Sequence, residues 1–91
     1  MTAKRLVIAG HVHGVGFRDW MVETAVTLGV SGWVRNRSDG TVEALVYGPT
    51  PAVEELLRAC RRGPRLARVD SIEEMLAEPE EEPGFRRRPT G

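Results

Sequence analysis

The hydrophobic period changes once in the first third of the chain. In residues 4–12 apolar side chains alternate, with Leu6 and Ile8 on one face and Val7 and Ala9 on the other. Alternation with a period of two is typical of a β-strand. From residue 17 the apolar positions instead fall on one helical stripe, made by Phe17, Trp20, Met21, Ala25 and Leu28. The pattern predicts a strand and then a helix that ends at Gly29.

The middle of the chain has the pattern of a β-hairpin. Residues 30–36 and 41–47 are two short runs rich in valine and aromatic residues. Ser38, Asp39 and Gly40 stand between them, and residues of these types favour a tight turn. We expect two antiparallel strands joined at Gly40.

A second helix is predicted after the hairpin. Thr50 is a candidate N-cap, with Pro51 at the first helical position. The apolar stripe that follows, Val53, Leu56, Leu57 and Cys60, ends at Gly63. This places the Cys60 thiol in the core as a small hydrophobic group.

The last third of the chain supports two conflicting predictions of secondary structure. Val69, Ile72, Met75 and Leu76 have helical spacing, which by itself indicates a helix over 69–77. A loop at 78–84, a short strand around Phe85 and a tail at 89–91 follow. If residues 66–76 form a strand instead, the order β-α-β-β-α-β predicts an α+β, ferredoxin-like split βαβ sandwich. Such a fold has an antiparallel sheet with two helices on one face.

Length and composition limit the class of protein. The 91 residues are enough for a single domain, which we place over 1–91. Thirteen basic residues balance thirteen acidic ones, which argues against charge-driven nucleic-acid binding. No apolar stretch approaches the roughly 20 residues of a membrane span, and no signal peptide is visible. With one cysteine and no exposed apolar stripe, we expect a cytoplasmic monomer.

The link between the first strand and the first helix reads G-H-V-H-G-V-G-F-R, from Gly10 to Arg18. It fails the dinucleotide fingerprint, because Asp19 stands where a glycine is required, and it lacks the lysine of a P-loop. A glycine turn before a helix can still aim backbone N–H groups at one anion. Arg18 would add a planar fork of donors for phosphate oxygens. An equally good interpretation is a plain strand–helix turn, in which the glycines only allow positive φ and no anion binds.

Two histidines in this segment raise the question of a metal. His11 and His13 are two residues apart, so on a strand both would point to the same non-core face. Zinc sites need at least three protein ligands, and the chain has no third histidine. We therefore expect no metal. His13 remains open as a general base, since imidazole titrates near neutral pH, or as a plain turn residue.

Asn36 is the second candidate for chemistry. It stands at the end of the second predicted strand, where asparagine commonly forms turns. Its amide could also hold a water molecule through an acceptor and two donors. If the second strand lies beside the first or close to it, Asn36 comes near the 14–18 loop.

Together the two stretches resemble the acylphosphatase family. The family signature G-x-V-Q-G-V-x-[FY]-R is similar to residues 10–18. The second signature, G-[FYW]-V-[KR]-N-x-x-x-G-x-V-x-x-x-x-x-G, is met from Gly32 to Gly48. The run from Gly63 to Asp70 is also similar, so the likeness covers residues 4–74 and favours a strand over 66–76.

The resemblance implies a function and a site. It implies hydrolysis of an acyl phosphate to carboxylate and inorganic phosphate by direct attack of water, with no metal or other cofactor. The phosphoryl group would bind the loop formed by His13, Gly14, Val15, Gly16, Phe17 and Arg18. Arg18 and Asn36 would be catalytic, with Asn36 orienting the water, and Thr41 would support Asn36. The alternatives are a non-catalytic ferredoxin-like module that binds a small anion, or a domain of a larger carbamoyl-transferring protein. The first residue, Met1, and the polar tail favour a stand-alone protein.

Three residues depart from the family pattern. His13 replaces the usual glutamine, Glu74 stands where the fourth strand has an apolar residue, and Arg87 replaces the aliphatic residue of the last strand. The first concerns the phosphate loop. The other two concern the packing of the C-terminal segment.

Overall fold

A computed structural model describes all 91 residues. The elements are β1 (Thr2–His11), α1 (Phe17–Leu28), β2 (Ser31–Asn36), β3 (Val42–Gly48), α2 (Thr50–Arg62), β4 (Arg68–Leu76) and β5 (Phe85–Arg87). The order confirms the predicted β-α-β-β-α-β chain and the short strand expected around Phe85. No helix is both long and apolar enough to cross a membrane.

The strands form one sheet in the order β4-β1-β3-β2-β5. β1 is antiparallel to both β3 and β4, and β2 is antiparallel to β3. Only β5 pairs in parallel, with β2. β3 therefore lies between β1 and β2, which run in the same direction. Their carboxyl ends lie at the same end of the sheet.

The core lies between one face of the sheet and the two helices. Leu6 and Ile8 are fully buried there, as their alternation predicts, and Phe17, Met21 and Ala25 face them from α1. Cys60 belongs to the same cluster, and burial raises the pKa of its thiol to about 12. The predicted ferredoxin-like α+β sandwich, with both helices on one face, is confirmed.

The helix indicated by the spacing over 69–77 is wrong, and the strand expected over 66–76 is right. β4 pairs with β1, but Ala9 faces Ser71 while Gly10 faces Val69, so Asp70 is an extra residue in a β-bulge. The bulge shifts the alternation by one residue. Val69 and Ile72 therefore both pack against the core, whereas Met75 lies on the other face and contacts Arg5. A strand with this bulge thus places two core residues three positions apart, which resembles the spacing of a helix.

Glu74 fits this strand through ion pairs. Its carboxylate accepts hydrogen bonds from Lys4 and from Arg61, each at 2.8 Å. The hydrogen bond and charge of Lys4 and the charge of Arg61 outweigh partial burial, so the pKa of Glu74 lies below its ordinary value. An acidic residue is stable here because a basic side chain from β1 and one from α2 flank it.

The second helix begins differently from the prediction. Thr50 is the first helical residue and makes no capping hydrogen bond, because its hydroxyl pairs with the Thr2 hydroxyl at 2.6 Å. Pro49 occupies the cap position, and Pro51 lies in the first turn as expected. The N-cap assignment of Thr50 is therefore wrong. The ends of both helices, at Gly29 and Gly63, agree with the prediction.

The 78–84 loop covers part of the other face of the sheet. Trp33, Leu45 and Tyr47 form a small buried cluster there. The Tyr47 hydroxyl donates a hydrogen bond to the carbonyl oxygen of Glu82, and the Arg88 guanidinium lies 4.7 Å from the centre of the Trp33 ring. These contacts hold the loop and the segment after β5 against the sheet.

Candidate active site

The turn between β1 and α1 is built on two glycines in the left-handed conformation. Gly14 has φ 70° and Gly16 has φ 74°, and Gly16 is also the N-cap of α1. None of the hydrogen bonds of the turns, loops and helix ends has a backbone N–H of residues 14–18 as its donor. These groups lie at the N-terminus of a helix, where the aligned peptide dipoles add partial positive charge. The turn is therefore suited to an anion.

A cavity of about 80 Å³ lies at this turn. Its lining residues come from the end of β1, the glycine turn, the start of α1, the end of β2 and β5: Val12, Gly14, Gly16, Phe17, Arg18, Asp19, Asn36 and Arg87. The fold therefore brings Arg18 and Asn36 together, 18 residues apart in sequence, as the order of strands requires.

Asn36 has an unusual environment. Its side-chain oxygen Oδ1 is buried and has no hydrogen-bond partner. A buried acceptor costs about 1–3 kcal/mol unless a water molecule or ligand supplies its hydrogen bond. Its main-chain carbonyl accepts a hydrogen bond from the N–H of Gly91 at 3.0 Å. The backbone of Asn36 is thus held by the chain terminus.

Two residues of the predicted phosphate loop do not line the cavity. Val15 is partly buried and packs against the core cluster. His13 points its ring to the β2–β3 turn, where Nε2 lies 2.8 Å from the carbonyl oxygen of Thr41. β1 ends at His11, so strand alternation does not govern His13, and His11 itself is exposed opposite Arg68. No group of three or more His, Cys, Asp or Glu side chains has the arrangement of a metal site.

Thr41 contacts His13 of the predicted phosphate loop through its backbone and does not line the cavity. Its hydroxyl donates to Asp39 at 2.6 Å rather than to Asn36, and this hydrogen bond lowers the pKa of Asp39. Its carbonyl oxygen accepts from the N–H of Arg37 at 2.9 Å as well as from His13. Thr41 therefore ties the residue after Asn36 to the phosphate loop.

Sequence reasoning missed three lining residues: Val12, Asp19 and Arg87. The sequence identifies Asp19 only as a departure from the dinucleotide fingerprint, and Arg87 only as a departure from the family pattern in the last strand. In the structure, Nη1 of Arg87 lies 2.5 Å from Oδ1 of Asp19. The one available signal is that Arg87 stands two residues after Phe85 on a short strand, at a position expected to face the core.

A larger depression of about 430 Å³ lies elsewhere, between the outer surfaces of the two helices. Its lining includes Trp20, Thr24, Glu55 and Arg62 and shares no residue with the smaller cavity. Because the glycine turn, Arg18 and Asn36 all lie at the smaller cavity, we place the candidate active site there.

Comparison with known proteins agrees with this geometry. The acylphosphatase family model matches residues 4–87. The chain is 66% identical to an acylphosphatase of Acidiphilium cryptum, over 100% of both chains. It is 54% identical to an acylphosphatase of Rhodospirillum rubrum, over 91% of each.

A solved structure gives the same result. The crystal structure of acylphosphatase from Bacillus subtilis superposes with a TM-score of 0.90 at 32% identity, covering 97% of this chain and 99% of that one. The resemblance seen in the two sequence signatures is thereby confirmed, and the chain belongs to the acylphosphatase family.

Proposed function

We propose that this acylphosphatase hydrolyses its substrate at the cavity formed by the glycine turn, Arg18 and Asn36. The backbone N–H groups of residues 14–18 and the guanidinium of Arg18 hold the phosphoryl group. Asn36 orients a water molecule for direct attack on phosphorus. The products are a carboxylate and inorganic phosphate. One observation carries the assignment: Asn36, whose buried Oδ1 has no partner within the protein, lines the same cavity as the glycine turn and Arg18.

Few groups are needed because the leaving group is a weak base. A carboxylate departs without a strong general acid, so the barrier lies mainly in the charge of the phosphoryl group and in the position of the water. Donors fixed before the reaction stabilise charge that develops in the transition state. Orienting the water removes much of the entropy cost. Arg18 and the turn serve the first purpose, and Asn36 serves the second.

The unpartnered acceptor has a defined role in this scheme. Oδ1 of Asn36 can accept one hydrogen of the water, which leaves a lone pair of the water oxygen free to attack phosphorus. Binding the water also supplies the hydrogen bond that this buried oxygen lacks.

The scheme needs no metal, cofactor or covalent enzyme intermediate. We propose that residues 1–91 act as one domain and as a monomer, because this one chain supplies every residue that lines the cavity. A cytoplasmic location is proposed on the single buried thiol of Cys60. His13 and Thr41 act by positioning in this scheme, since their contact joins the phosphate loop to the β2–β3 turn.

Phosphate release tests this mechanism. With a chelator present, the protein should hydrolyse benzoyl phosphate and leave p-nitrophenyl phosphate, a monoester, nearly untouched. Similar rates on both compounds would indicate an ordinary phosphatase. No hydrolysis of either would favour the alternative, a non-catalytic module that binds a small anion.

A further inference from the structure

Arg87 enters the active-site cavity from the last strand. β5 pairs in parallel with β2, with Arg87 opposite Val34. Phe85, two residues earlier, is buried in the helix-facing core, and side chains two apart on a strand share a face. Arg87 therefore lies on the helix-facing side of the sheet, next to the first turn of α1. Arg88 lies on the opposite side, over Trp33.

The position of Arg87 is at the mouth of the cavity. The side chains of Arg87 and Asp19 are 44% and 66% exposed, whereas Oδ1 of Asn36 is buried. Asp19 accepts one hydrogen bond from Nη1 of Arg87. A guanidinium has five N–H donors, so this single contact leaves most of them available to a ligand.

The size of the cavity determines what reaches Arg87. Pockets that enclose a whole small-molecule ligand measure roughly 300–1,000 Å³, and this one measures about 80 Å³. It can enclose the phosphoryl group and the attacking water but not the acyl chain. The acyl chain must leave the cavity through its mouth, where the exposed lining residues are Gly14, Gly16, Asp19 and Arg87. Arg87 is the only cation among them.

We propose that Arg87 determines substrate specificity by binding a second anionic group, a carboxylate on the acyl chain. The proposal rests on the function proposed above, because it assumes that the phosphoryl group lies at the turn and Arg18. A planar guanidinium fork matches a carboxylate in shape and charge. Asp19 holds the guanidinium toward the mouth in the free enzyme, and the substrate carboxylate then takes up its remaining donors.

A matched pair of substrates tests the assignment. Succinyl phosphate and butyryl phosphate have acyl chains of equal length, and only the first carries a terminal carboxylate. Arg87→Gln should lower kcat/KM about tenfold on succinyl phosphate, mainly through KM, because one charge-assisted contact is lost. On butyryl phosphate the loss should be clearly smaller than on succinyl phosphate, because the contact with a terminal carboxylate does not exist there. Arg86→Gln is the control, since Arg86 pairs with Glu80 and Glu82 in the 78–84 loop.

Each other outcome overturns the proposal. An equal loss on both substrates would mean that Arg87 binds the phosphoryl group itself. Unchanged kinetics on both would mean that its ion pair with Asp19 is purely structural. Circular dichroism and thermal unfolding establish that Arg87→Gln folds. If the wild-type protein hydrolyses neither substrate, the proposed function fails instead, which is a separate result.

Discussion

Nε2 of His13 donates a hydrogen bond to the carbonyl oxygen of Thr41, 2.8 Å away. A carbonyl oxygen only accepts, so Nε2 carries the proton in either charge state of the ring. The bond joins the phosphate loop to the turn that follows Asn36. We propose that His13 acts through this contact, by positioning the loop.

We expect His13→Gln to keep nearly full activity, because a glutamine amide can also donate to Thr41. Its pH–rate profile should superimpose on that of the wild type. His13→Ala loses the bond and should lower kcat about tenfold, the effect of about 1.4 kcal/mol in positioning. Profiles that differ between wild type and His13→Gln would show that the ring titrates in the reaction.

Arg18→Ala and Asn36→Ala should each abolish most of the activity. Removing one preorganised donor of this kind typically costs on the order of 10²–10³ in rate. The loss should appear in the initial rate of benzoyl phosphate hydrolysis, with circular dichroism unchanged. Arg65→Ala, a change at an exposed arginine away from the cavity, serves as the control. Near-wild-type turnover in either folded active-site variant contradicts the mechanism.

Shortening the chain after Arg88 should impair catalysis. Gly91 donates its N–H to the Asn36 carbonyl at 3.0 Å and accepts from the N–H of Ser38 at 3.2 Å. Deleting residues 89–91 removes both bonds and frees the end of β2, so we expect kcat to fall several-fold. Thr90→Ala keeps the backbone bonds and should leave kcat unchanged. An equally active shortened protein would show that the terminus does not position Asn36.

Acid should destabilise the fold through Glu43. This carboxylate is 3% exposed on β3 and accepts hydrogen bonds from Arg5 and Arg35. Burial opposes its ionisation, but the hydrogen bond and charge of Arg35 and the charge of Arg5 prevail, so its pKa lies below the ordinary 4.5. A lowered pKa in the folded state adds stability above pH 4.5, and this stability is lost as the pH falls through the folded value.

Urea unfolding of wild type and Glu43→Gln checks the acid effect. At pH 7 the variant should be less stable by about 1.5–3 kcal/mol, the value of a hydrogen bond to a charged group. Below pH 4.5 the difference should shrink, because the wild-type carboxylate becomes protonated. Glu81→Gln, at an exposed position without an ion pair, is the matched control. A difference that is constant with pH would show that the ionised form of Glu43 adds no stability.

Much of the fold followed from local patterns. The change of period at Phe17, the turn at Gly40 and the stops at Gly29 and Gly63 predicted both helices and the hairpin. β4 could not be predicted from periodicity, because the bulge at Asp70 depends on pairing with β1. The same holds for Thr50, whose hydroxyl bonds Thr2 on a distant strand. Hydrogen bonds between segments that are far apart in the sequence produce no local pattern from which they could be predicted.

The sequence by itself determined the family, the glycine turn and the candidate pair Arg18 and Asn36, because both signatures are contiguous and each is read within one segment. Only the tertiary structure decided that His13 faces Thr41 and that Arg87 and Asp19 stand at the mouth of the cavity. Arg87 and Asp19 are 68 residues apart in the chain. They meet because β5 pairs beside β2 against the start of α1, and strand order in a sheet is set by the packing of the whole core.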